Sequence, residues 1–96
     1  MYDIDLTPEA LDDLKALRKA DQVAITDRIE AQLTEEPQAE TRNKKPMKPN
    51  KLAKWELRIG RFRVFYDVEG EGVVKVKAIG WKEHNRLYFG GQEREL

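Results

Sequence analysis

The stretch Trp55-Glu56-Leu57-Arg58-Ile59-Gly60-Arg61-Phe62-Arg63-Val64-Phe65-Tyr66-Asp67-Val68 decides the fold. Apolar and polar residues alternate from Trp55 to Ile59, the period of a strand with one buried face. Gly60-Arg61 fits a two-residue hairpin turn with glycine at its first central position. Phe62 to Val68 then returns as the partner strand. The turn sets the register: Ile59 faces Phe62, Arg58 faces Arg63, and Leu57 faces Val64. Side chains alternate across a sheet, so Leu57, Ile59, Phe62 and Val64 take one face and the two arginines take the other. Like charges directly opposite one another cost about a few tenths of a kcal/mol. An anion between them reverses that sign, and guanidinium binds phosphate through paired hydrogen bonds. Glu56 shares this face and offers a different reading, in which it pairs with Arg58 and leaves an ordinary charged surface. Phe65 also falls on the arginine face. It either stacks a base or packs under the C-terminal tail, the second being the favoured reading.

The flanks extend the pattern in both directions. Downstream, Glu69-Gly70-Glu71-Gly72 reads as a turn and Val73 to Ile79 as a third strand. Upstream, Tyr2, Ile4 and Leu6 alternate with Asp3 and Asp5 as a short strand. Thr7-Pro8-Glu9 reads as a helix start: a hydroxyl cap, a proline suited to the first turn, and an acid complementing the dipole. Leu11, Leu14 and Leu17 carry that helix to about Arg18 or Lys19. Asp21 is the expected cap of a second helix, whose stripe is Ile25, Ile29 and Leu33. Pro37 ends it. Residues 37–50 hold three of the chain's four prolines and read as a mobile loop. The tail from Trp81 to Leu96 has no firm periodicity, and Gly90-Gly91 suggests the end of the ordered structure. The expected fold is α+β in the order β-α-α-β-β-β, an antiparallel sheet with an N-terminal helical hairpin packed on one face.

Ninety-six residues suit a single domain over 1–96. There is no cysteine, which excludes disulfides and thiolate metal sites. No basic-then-apolar leader and no membrane-spanning run is present, so a cytoplasmic protein is expected. The formal net charge of zero hides a dipolar chain. Residues 1–40 carry 11 acidic and 4 basic side chains; residues 41–63 carry 9 basic side chains and one acid, Glu56. That basic middle is a candidate electrostatic footprint for a polyanion. After the third strand, Gly80-Trp81-Lys82-Glu83-His84-Asn85-Arg86-Leu87-Tyr88 brings Lys82, His84 and Tyr88 near the strand ends. His84 is the one histidine and the one side chain whose ordinary pKa lies near neutrality. A lone histidine is more often structural than catalytic. No carboxylate cluster or second histidine accompanies it, so neither a metal nor a cofactor is expected.

The runs Leu57 to Tyr66 and Ile79 to Tyr88, with this element order, resemble the RelE/ParE toxins of type II toxin–antitoxin modules. The resemblance implies a cognate antitoxin as partner. Its RelE branch implies a metal-free endoribonuclease that cuts mRNA on the ribosome. In that reading Arg58, Arg63, Lys82, His84 and Tyr88 are the catalytic candidates. Arg58 and Arg63 hold the phosphate, Lys82 assists, His84 transfers protons, and Tyr88 stacks on a base or shares the proton transfer. Lys44, Lys45, Lys48, Lys51, Lys54 and Arg61 supply salt-sensitive attraction to RNA. Glu56 stands where RelE has a lysine, inverting a charge. The ParE branch implies a poison of DNA gyrase with no enzymatic activity. A third reading is a degenerate member that only binds its antitoxin. From the sequence, the ribonuclease is the favoured expectation.

Overall fold

The computed structural model describes residues 1–90 and 92–93, the last two as backbone only. Strand β1 is Asp3–Leu6, followed by helices α1 (Pro8–Lys15) and α2 (Lys19–Leu33). Strands β2 (Lys44–Pro46), β3 (Trp55–Ile59), β4 (Phe62–Glu69), β5 (Val73–Glu83), β6 (Arg86–Phe89) and β7 (Gln92–Glu93) complete the order. The sheet runs β2-β3-β4-β5-β6-β7. The expected hairpin holds, with Leu57 opposite Val64, Arg58 opposite Arg63 and Ile59 opposite Phe62. Gly60 has φ +58, the left-handed conformation its turn position requires.

The principal core lies between helices and sheet. Ile25, Ile29 and Leu33 of α2 meet Leu57, Phe62, Val64, Tyr66, Val74, Val76 and Ile79. The four apolar hairpin residues take the helix side as the alternation demands. Thr7 starts α1 as expected, its hydroxyl accepting from Ala10 N at 3.1 Å.

Several local expectations are corrected. α1 stops at Lys15, and Arg18, not Asp21, occupies the cap position of α2. Asp21 instead stands in the first turn, paired with Arg18 at 3.4 Å. Strand β1 pairs with β5 in parallel, so the sheet is mixed. The long connection through α1, α2 and β2 to β4 permits this, since a parallel pair cannot close through a tight turn. Between the β1 and β6 contacts, the edge of β5 is covered by α1 side chains. Thr7 Oγ1 donates to Lys77 O at 3.2 Å, and Asp13 Oδ2 accepts from Ile79 N at 3.0 Å. These bonds serve the bulge where β4 and β5 slip register next to Phe65 and Tyr66.

The segment expected as a free loop is anchored. It contains β2, paired with β3, and an asparagine turn in which Asn50 Oδ1 accepts from Leu52 N and Ala53 N. Met47, Leu52 and Ala53 then cover a second apolar cluster of Phe65, Ala78, Leu87 and Phe89 on the face away from the helices. Phe65 is therefore packed under β6. The tail continues past Trp81 as a hairpin. His84 and Asn85 form its turn, with φ of 52° and 65°. The expected end of order near Gly90-Gly91 falls partly outside the described residues.

Candidate functional site

The face away from the helices carries the arginine pair. Arg58 N donates outward to Asn43 O at 2.8 Å, so Arg58 and Arg63 form the closer, non-hydrogen-bonded type of cross-strand pair. Two further features define the face. Glu56, two residues before Arg58, accepts from Arg58 Nε at 2.8 Å; its side chain is 9% exposed against 45% for Arg58. Arg63 Nη1 donates to Gly60 O at 2.7 Å and Phe62 O at 2.9 Å, pinning the guanidinium back against the turn. Its Nε is buried with no partner among the described residues. Burial pushes the Arg63 pKa down; Glu56 pulls it up and Arg58 pushes it down further. Arg63 keeps its charge regardless, because guanidinium does not deprotonate in proteins. Opposite Arg63 stands Gly80. A Cβ there would lie 2.3 Å from Tyr88 O and 2.9 Å from the Phe89 ring, so β6 closes directly over this position.

The other sequence candidates do not all converge here. Lys82 falls on the arginine face by alternation, two residues beyond Gly80, and is exposed. His84 is exposed in the β5–β6 turn. Tyr88 belongs to the opposite face: it stacks on Trp81 at 5.9 Å, whereas its neighbours Leu87 and Phe89 point into the second cluster. Arg61 also turns away, its guanidinium 5.0 Å above the Phe62 ring and 6.0 Å from that of Trp81, with Glu83 at 3.6 Å. Lys44 is buried, its Nζ donating to Gln32 O at 3.1 Å and Glu36 O at 2.8 Å. It holds carbonyls at the end of α2 and is not part of the exposed basic surface. Lys48, Lys51 and Lys54 are exposed, and Lys45 is half-buried beside Glu40 at 3.7 Å. Among the described residues no cluster of histidine, cysteine and carboxylates could hold a metal ion. No described helix is long and apolar enough to cross a membrane.

A cleft also went unread in the sequence. Leu17, Arg61, Trp81, Glu83 and Tyr88 line a cleft of about 310 Å³ on the helix side of the sheet. Its signal was the dipeptide His84-Asn85: read as a two-residue turn, it places Trp81 opposite Tyr88.

The chain is thus a mixed sheet backed by two N-terminal helices, with the arginine pair on its outer face. The chain belongs to the ParE toxin family of type II toxin–antitoxin systems (parDE), whose model matches residues 4–85. Its structure is similar to a chain in the crystal structure of the toxin–antitoxin complex RelBE2 from Mycobacterium tuberculosis. The TM-score is 0.72 at 23% identity, covering 84% of this chain and 98% of that one. That likeness concerns the fold. Among curated proteins, none matches the sequence.

The family match overturns the endoribonuclease expected from the sequence, because the ParE family points to a toxin without enzymatic activity.

Proposed function

We propose that this chain is a toxin that works by binding, with DNA gyrase as its target and a cognate antitoxin as its restraint. The match to the ParE family over residues 4–85 carries the reading. The geometry supports it. Arg58 already has Glu56 as counter-ion, and Tyr88 sits across the sheet from Arg63. Transesterification of RNA needs a charge clamp and a proton carrier around one phosphate, and these side chains do not surround a common point. An antitoxin partner is supported by the likeness to a chain solved within a toxin–antitoxin complex. The chain acts as one domain in the cytoplasm, where gyrase works. The exposed cations of the outer face, Lys48, Lys51, Lys54, Arg58 and Lys82, speed encounter with a polyanionic gyrase–DNA assembly, an effect that salt weakens.

Induced expression in cells tests this. A reporter plasmid should lose negative supercoils and a DNA-damage response should follow, with transcript ends unchanged. Intact plasmid topology alongside new mRNA ends within codons would reverse the assignment.

A further inference from the structure

We infer that the outer edge of β1 takes an added strand, an extended lysine- or arginine-bearing segment of a partner protein laid between β1 and α2. The inference goes beyond the gyrase reading and stands without it. In a parallel ladder the N–H and C=O of one residue point to one neighbour, and those of the next residue point the other way. Asp3 N donates to Gly72 O at 2.8 Å and Thr7 N to Val76 O at 3.0 Å, so the odd positions of β1 turn toward β5. The even positions turn away from it. The first of these, Tyr2 N, donates to Thr34 O at the end of α2 at 2.7 Å. The next two, Ile4 and Leu6, present outward N–H and C=O groups that no described residue bonds. Such an edge is a template for a further strand unless something covers it. Ile4 opens on a groove of about 670 Å³, walled by Tyr2 and Asp3 on the strand side and by Asp27, Glu30 and Thr34 on the helix side.

The charge of the groove chooses the occupant. Its lining holds three carboxylates, Asp3, Asp27 and Glu30, and no cation. Nearby acids outside it have partners: Asp5 pairs with Lys75 at 2.7 Å and Asp21 with Arg18 at 3.4 Å. No ion pair among the described residues reaches Asp3, Asp27 or Glu30, and the two cations of α2, Lys19 and Arg28, lie outside the lining. Among the described residues no group of carboxylates is placed to hold a metal ion, so compensation falls to charge spread along a chain. The acids stand on both sides of the prospective strand. Tyr2, Ile4 and Leu6 pack on the helix-side core, so Asp3 lies on the opposite sheet face, while Asp27 and Glu30 belong to α2. An added strand alternates its side chains in the same way. Its cations then reach both walls, and main-chain bonds to Ile4 and Leu6 fix its register. Repulsion excludes an acidic segment and the phosphates of a nucleic acid.

The test follows backbone amides by nuclear magnetic resonance in the purified chain, with an octapeptide of alternating lysine and valine and its glutamate–valine counterpart as probes. In the free chain the amide hydrogens of Ile4 and Leu6 should exchange readily while that of Asp3 is protected. The lysine peptide should shift and protect Ile4 and Leu6, and added salt should weaken its binding. Asp27→Lys combined with Glu30→Lys should weaken it at least about tenfold, because like charges then face each other. Glu9→Lys combined with Asp12→Lys, exposed acids of α1 outside the groove, should leave it unchanged. Circular dichroism melting confirms that both double variants fold, and the exchange measurement on the wild-type chain needs no variant. Protection of Ile4 and Leu6 in the free chain overturns the inference; protection that fades on dilution gives the edge to a second copy instead. Shifts confined to other residues, equal binding of the glutamate peptide, or undiminished binding to the folded Asp27→Lys, Glu30→Lys chain overturns it as well.

Discussion

Replacing Glu56 by glutamine keeps the shape of the side chain and removes the only carboxylate bonded to the arginine pair in the described structure. The Glu56–Arg58 contact is a charge-assisted bond of 2.8 Å, with the acid almost fully buried and the arginine 45% exposed. Hydrogen bonds to charged groups contribute about 1.5–3 kcal/mol net, and solvent screening at the exposed end brings this one to about 1–1.5. Loss of the acid also leaves Arg58 and Arg63 facing each other uncompensated in the closer type of cross-strand pair, at a cost of about a few tenths of a kcal/mol more. Relief from burying a carboxylate works in the other direction and keeps the total near 1–1.5 kcal/mol. For a domain of this size each kcal/mol shifts Tm by about 4–8 °C, so Glu56→Gln should melt roughly 4–12 °C below wild type. The deficit should shrink as ionic strength rises, since salt screens repulsion between exposed charges. It should shrink further in sulfate or phosphate, whose oxyanions can sit between the exposed parts of the two guanidiniums. Scanning calorimetry in chloride and in sulfate at matched ionic strength measures both effects. A variant as stable as wild type at low salt, with no differential gain from sulfate, would refute the claim that Glu56 neutralises this pair.

Two other outcomes follow from the packing. Tyr66 donates to Pro37 O at 2.6 Å in the core, and burial raises its pKa above the ordinary 10.0. The neutral phenol is favoured in the folded state, so its contribution is whole below pH 10.0 and is lost as pH rises beyond it, at about 1.4 kcal/mol per pH unit. Denaturant titrations on either side of that pH should show the decline, and Tyr66→Phe should flatten it. Gly80→Ala pushes a methyl group into the β6 backbone and the Phe89 ring, and should cost about 1–3 kcal/mol. Because β6 carries Tyr88 onto Trp81, the same change should alter the near-ultraviolet dichroism of the tryptophans. A silent spectrum and an unchanged Tm would contradict the close approach.

The hairpin was legible because two independent local signals agreed: a glycine in the turn and strict alternation on both sides of it. The helix start at Thr7-Pro8 was legible for the same reason. The parallel pairing of β1 with β5 was not, because alternation tells which face is buried and not which neighbour is bonded. Lys44 looked like surface cation and is a helix-end donor; nothing in its local sequence marks the carbonyls of Gln32 and Glu36 that it reaches. The face of Tyr88 was not legible, because it depends on whether the His84-Asn85 turn has two residues or more. One residue of register moves every side chain of a strand across the sheet. The same uncertainty hid the cleft, whose five lining residues come from α1–α2, the first hairpin turn and the last hairpin.

The most direct measurement titrates purified gyrase with the purified chain, wild type and His84→Asn, and follows supercoiling of relaxed plasmid. Asparagine accepts the left-handed backbone at position 84 and removes the chain's one imidazole. A toxin that acts by contact should suppress supercoiling to the same extent in both forms. Full supercoiling at every concentration, together with cleavage of ribosome-bound mRNA that disappears in His84→Asn, would show an enzyme instead.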